Sequence, residues 1–277
     1  RAFFYKDIMI KIKQKSDNLL DHKTECLILP CAEEKKPRGT IQTLDAALNG
    51  AITAAFENKR FTGKPNQTLL LNSAGCLKAD NLLLVGVGKA KEVTAEKICQ
   101  ASGAAAKVAE RSNFKSVSIF LNDSCFDQIA KGKGKLYGEL SGAVAEGAGL
   151  ALYHFDNYKS TDEKDDPPSR VGQLTLIPAS KVRQATVEKS IARAEKIVNA
   201  VHSARDLVSH PGNTATPTFL AEHAKKMARK NKITCKVMGK KEMEKLGMGA
   251  LLGVSRGSHE PPALIVLEYY GAAKKKA

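Results

Sequence analysis

The stretch best suited to chemistry reads Leu82-Leu83-Leu84-Val85-Gly86-Val87-Gly88-Lys89, an apolar run closing on two glycines and a lysine. Glycines that follow a strand let backbone N–H groups approach a phosphate, and a lysine adds positive charge. The dinucleotide fingerprint is nevertheless incomplete. Its third glycine would fall at 91, where Lys91 stands, and the next helical pattern starts only near Thr94. Gly86 and Gly88 therefore read as a tight strand exit, with phosphate binding as the alternative.

The six histidines do not cluster. His202 and His210 are far apart in sequence, no H-E-x-x-H occurs, and no His or Cys pair has metal-ligand spacing. His210 and His259 lie beside proline or turn residues, which suits solvent-exposed rings. No G-x-S-x-G elbow is present, and Ser255 and Ser258 in V-S-R-G-S-H have no positioned base beside them in sequence. No carboxylate pair has a spacing that argues for acid/base work. Cysteines stand at 26, 31, 76, 99, 125 and 235. Cys26 and Cys31 lack a second close pair to complete a zinc site, and several cysteines sit in apolar runs, where they act as small hydrophobes. Reduced, structural thiols and a cytoplasmic address are expected. From the residues alone, no catalytic constellation emerges.

The chain that must position any site has 277 residues, 43% hydrophobic and 26% charged, the composition of a globular protein. Its 44 Lys and Arg against 29 Asp and Glu leave a formal charge of +15, which favours polyanions without specifying a fold. The longest small-and-apolar stretch, 140–152, is too short for a membrane span and is interrupted by Glu146. Residues 1–6 lack a secretory-signal pattern. The chain opens on Arg1 and stops on Lys274-Lys275-Lys276-Ala277, so it reads as a piece of something longer.

Short apolar runs predict strands over 7–13, 26–29, 68–71, 82–87 and 117–121. Helical spacing of apolar residues predicts helices over 40–57, 94–111 and 139–153. This alternation predicts an α/β layer structure with a largely parallel or mixed sheet. Residues 156–170 are polar and acidic and contain Pro167-Pro168, which is linker chemistry, although a long loop within one domain is the alternative. Beyond them lie a strand over 173–177 and a long amphipathic helix over 182–208. A second helix opens at Thr216-Pro217, a capping threonine followed by a proline at the first helical position. Further strands are predicted at 233–238 and 263–267. The last is apolar throughout, the pattern of a strand covered on both faces within a mostly parallel sheet.

Two stretches are more specific than folding requires: A-R-D-L-V-S-H-P-G-N-T-A-T-P-T-F-L-A-E-H-A (204–224) and L-G-M-G-A-L-L-G-V-S-R-G-S-H-E-P-P-A-L-I-V-L-E-Y-Y-G (246–271). Both resemble the leucyl aminopeptidase (cytosol aminopeptidase) family at the start of its peptidase domain. The run at 82–89 sits where that family's amino-terminal domain has a similar strand and glycine turn. The resemblance implies a macro-like amino-terminal α/β domain over 1–155, a linker over 156–170, and the first part of an α/β metallo-exopeptidase domain over 171–277. It also implies a cytoplasmic homo-hexamer that removes amino-terminal residues from peptides with two divalent ions, zinc or manganese. The family's ligand and catalytic motifs follow the strand matched at 263–267, so no catalytic, cofactor-binding or metal-binding residue carries over.

The expected polypeptide is accordingly inactive alone and binds neither ion. Residues 1–155 should be independently stable, 170–277 marginal, and the first proteolytic cuts should fall in 156–170. Two other classes remain open at this stage: a basic protein whose charge gives weak, salt-sensitive DNA binding, and a purely structural paralogue without catalysis. No membrane partner is expected.

Overall fold

The computed structural model describes residues 10–33, 37–121, 126, 134–159, 170–178 and 184–271. Its contacts divide the chain into two units, the first running to His202 and the second starting at Ser203.

The first unit is built on a six-stranded sheet. Its strands are β1 (Lys11–Gln14), β2 (Thr24–Ala32), β3 (Thr68–Asn72), β4 (Ala79–Gly88), β5 (Ser116–Leu121) and β6 (Gln173–Pro178), in the order β1-β6-β5-β2-β4-β3. All neighbours run parallel except the hairpin pair β3–β4. Parallel strands need cover on both faces, which explains the unbroken apolar runs in β2 and β4. One face carries Ile28, Val85, Ile119 and Leu176 under α3 (Ala95–Arg111), α4 (Gly134–Ala151) and the first turns of α5 (Gln184–Ser209). The other carries Leu27, Leu29, Leu82 and Leu84 under α1 (Thr40–Ala47) and α2 (Ala51–Glu57).

The single helix predicted over 40–57 is two. The chain turns at Asn49 and Gly50, both at positive φ, and the buried Asp45 carboxylate accepts from the N–H groups of Ile52 (2.7 Å) and Thr53 (3.0 Å). That carboxylate satisfies the free donors opening α2, as an N-cap would. Helices α3 and α4 approach closely because α4 is rich in small residues. A Cβ at Gly147 would collide with the Cys99 carbonyl oxygen.

The domain boundary expected between 155 and 171 is corrected. Strand β6 is hydrogen-bonded between β1 and β5, and Val187, Ile191 and Ala194 of α5 lie in the same core. A strand buried on both faces must sit inside a sheet, and the sheet at hand is that of the first unit. Residues 160–169 of the expected linker lie outside the described residues. On either side of them, Asp156 and Arg170 form an ion pair, which joins the two ends of the stretch within one unit.

The second unit contains α6 (Pro217–Asn231), β7 (Thr234–Met238), α7 (Lys240–Lys245), α8 (Gly249–Ser255) and β8 (Leu264–Glu268). The two short helices have no counterpart in the predicted elements. Strand β8 is only half-buried, in keeping with an apolar strand left without full cover, but it pairs antiparallel with β7, which corrects the expectation of a mostly parallel sheet around it. Helix α6 starts as predicted, with Thr216 Oγ1 accepting from Phe219 N–H at 3.2 Å and Pro217 at the first position.

Candidate functional site

The glycine exit of β4 is closed by the protein's own backbone. Gly86 N–H donates to Gln67 O (2.8 Å), Gly88 N–H donates to Gly63 O (2.9 Å), and the two glycine carbonyls accept from Asn66 and Glu33. A Cβ at Gly86 would strike the Lys64 carbonyl, so the 63–67 segment fills the space a phosphate would need. Lys89 pairs with Glu92 at 3.3 Å. The glycines serve close packing, and the strand-exit reading holds over phosphate binding.

A second constellation escaped the sequence reading. His22 Nδ1 lies 2.8 Å from Asp17 Oδ2, and His22 Nε2 lies 2.8 Å from Ser118 Oγ. Ser118 in turn donates to Thr24 Oγ1 at 3.2 Å. Asp17 also meets Lys15 at 2.6 Å; the lysine, and then the histidine, lower its pKa from the ordinary 3.8 to about 2. The types are those of a nucleophile, a base and an orienting acid, but the place is wrong for hydrolysis. Ser118 is 2% exposed and His22 4%. The cavity lined by Ile28, Val85, Ile98 and Val144 lies on the opposite face and measures about 10 Å³, room for about one water at most. No sequence signal links positions 17, 22 and 118, because only the strand order brings them together.

In the second unit, the two motif stretches meet. Thr218 Oγ1 donates to Glu260 Oε2 at 3.2 Å, tying the start of α6 to the 246–271 stretch. Phe219 packs edge-on to His210 (5.6 Å between centroids) and stacks with His223 (6.5 Å). His223 Nε2 sits 3.4 Å from Ser203 Oγ, at the long limit of a hydrogen bond. Burial, and then Lys226, lower the His223 pKa against the opposing pull of Asp206. His210 is thus half-buried against a ring, not solvated as expected, while His259 lies on an exposed bend.

Among the described residues, no three His, Cys, Asp or Glu side chains are grouped so as to hold a metal ion. Burial, then Glu25, push the Cys26 thiol up to about 12, which keeps it inert. No described helix is long and apolar enough to cross a membrane.

The architecture is thus a parallel-dominated α/β unit followed by a second unit in which the 204–224 and 246–271 stretches meet. The model of the cytosol aminopeptidase family, N-terminal domain, matches residues 28–162, and the catalytic-domain model of the same family matches residues 202–277. The chain belongs to this family. A probable cytosol aminopeptidase of Geobacter sp. (strain M21) is 38% identical over 269 residues, covering 96% of this chain and 51% of the relative. The cytosol aminopeptidase of Pseudomonas aeruginosa is 36% identical over 257 residues, covering 92% and 50%. A tomato leucine aminopeptidase mutant shares the fold, with a TM-score of 0.74 at 24% identity over 93% of this chain and 50% of its own. The bottromycin maturation enzyme BotP, in complex with Mn, superposes at a TM-score of 0.63 and 27% identity, over 89% and 45%. The chain spans about half the length of the curated relatives it matches.

Proposed function

We propose that this chain is the accessory domain and the leading catalytic-domain segment of a metal-dependent leucyl aminopeptidase that releases amino-terminal residues from peptides. The observation that carries the reading is the continuous 38% identity to an aminopeptidase over 96% of the chain, through both domain types. The described residues do not themselves fit a two-ion centre, zinc or manganese, so no chemical step is assigned to them. The role proposed for them is support: a rigid six-stranded unit, and a second unit whose β7–β8 pair and α6 begin the catalytic domain. Homo-hexameric assembly and a cytoplasmic site of action belong to the same proposal. The charge of +15 adds a weak affinity for DNA that is mainly electrostatic and falls steeply between roughly 50 and 200 mM salt.

The test is hydrolysis of a leucine anilide with millimolar manganese or zinc. The 277-residue polypeptide, its mass verified, is expected to be inactive. The same polypeptide extended by the remaining half of the Geobacter relative is expected to turn over. Metal-dependent turnover by the 277 residues alone would overturn the supporting role, and an inactive but folded extended protein would overturn the aminopeptidase reading.

A further inference from the structure

The link from β1 to β2 is unlike the other crossovers of the sheet. Strand β1 lies at the edge and β2 near the centre, with β6 and β5 between them, so the chain must pass two strands. Parallel strands are ordinarily joined through a helix. Residues 15–23 make this passage with no helix, whereas β2 to β4, β4 to β5 and β5 to β6 each include at least one.

Beneath this segment the sheet is polar. Ser118 and Thr175 are register partners on β5 and β6, and both are buried, as is Thr24 at the start of β2. Further along the same face, Phe120 and Ile177 share an apolar cluster with Leu19. The segment also holds itself together. Asn18 N–H donates to Asp17 Oδ1, Leu20 N–H to Asn18 Oδ1, Asp21 N–H to Asn18 O, and Asn18 Nδ2 to Asp21 Oδ2. Its hydrogen bonds to the rest of the unit include Lys15 N–H to Leu176 O (3.1 Å), Lys78 N–H to Leu20 O (3.3 Å) and the short His22–Ser118 contact at 2.8 Å.

We infer that residues 15–23 form a latched strap, fastened through His22 to Ser118, that opens as a unit while the six-stranded sheet stays folded. Opening keeps the internal bonds of the strap, because they travel with it. It exposes the Ser118, Thr24 and Thr175 hydroxyls, which water can satisfy at once, and uncovers the side of Phe120 and Ile177 that meets Leu19, whereas lifting a helix from the opposite face would bare aliphatic side chains along its whole length. Local opening of this kind occurs where few buried apolar contacts must break, and the strap contributes two, the buried Leu19 and the half-buried Leu20. Asp17 orients the latch by holding His22 at Nδ1, so that Nε2 meets Ser118.

Hydrogen exchange of the full chain, resolved by peptide, tests this. Peptides covering 16–23 are expected to exchange at least about tenfold faster than those of β2 and β4. His22→Gln and Ser118→Ala are each expected to speed the strap peptides by about a further tenfold, the effect of one lost hydrogen bond, and to leave β2 and β4 unchanged. Equal wild-type rates in the two regions would overturn the strap. A rise shared by both regions, or no rise in the strap, would overturn the latch. If His22→Gln fails to fold, Ser118→Ala, which deletes one hydroxyl, carries the same comparison.

Discussion

The two units bury different things. In the first, leucines, isoleucines and valines fill both faces of the sheet, and Leu27, Ile28, Leu29, Leu82, Leu83 and Leu84 are completely covered. In the second, the buried apolar residues are Ala221, Ala224, Ala228, Met238 and Met243, while Val208, Leu246, Val254, Leu267, Tyr269 and Tyr270 are exposed. Each buried branched aliphatic side chain is worth roughly 1.5–3 kcal/mol, and an alanine far less. The first unit therefore has a core of its own. The second has about the beginnings of one, and its apolar exterior suits burial against further protein.

The largest difference should appear in proteolysis of the whole chain. Cuts within 203–271 are expected well before any cut in the six strands, because the second unit has little core to lose. If 203–271 outlasted 10–202, the comparison between the units would fail. This replaces the expectation of an independently stable 1–155, since such a piece lacks β6 and leaves β1 without its partner.

Single core truncations sharpen the contrast. Leu83→Ala removes a fully buried side chain and should destabilise the first unit by about 2–5 kcal/mol in denaturant titration. Leu267→Ala, at a side chain 45% exposed, should stay within about 1 kcal/mol. Similar losses at the two sites would mean that Leu267 is covered in solution.

Two helical glycines should respond with opposite signs. Gly147→Ala drives a methyl into the Cys99 carbonyl at the α3–α4 contact and should destabilise by about 1–3 kcal/mol. Gly253→Ala in α8 meets nothing within 4 Å and should stabilise that helix by about 0.5–1 kcal/mol. Equal signs in thermal melts would show that the helices pack differently from this description.

The smallest effect is acid dependence. Asp17 has its pKa depressed from 3.8 to about 2, so its contribution to stability is present in full above its unfolded value and is lost as pH falls through about 2. Asp17→Asn should flatten the stability profile of the first unit between roughly pH 4 and 2 and leave the second unit unaffected. A stability gain on acidification in the wild-type protein over that window would contradict the assignment.

Much of the element list was legible because local rules decide it. Alternation and helical spacing located the strands around 26–29, 68–71, 82–87 and 117–121 and the helix over 94–111, and Thr216-Pro217 marked the start of α6. The split at Asn49-Gly50 was missed because apolar spacing continues across it, while the carboxylate that caps α2 comes from Asp45, seven residues before Ile52. The glycines at 86 and 88 were read correctly as a strand exit, and the structure supplied the reason in the backbone of 63–67. The family resemblance was legible in 204–224 and 246–271, whose residues are unusually specific in order.

Strand partnership was not legible. Backbone N–H and C=O groups are the same at every residue, so the apolar run at 173–177 could not announce that it lies between β1 and β5. A polar stretch before it suggested a boundary, yet burial on both faces placed it inside the first sheet. For the same reason Asp17, His22 and Ser118 showed no relation until the strap crossed the sheet. Sequence by itself determined the strands, the longer helices and the family, because these follow from side-chain pattern along the chain. Tertiary structure alone decided the unit boundary, the antiparallel β7–β8 pair and the histidine latch, because each depends on which distant segments share one face of a sheet.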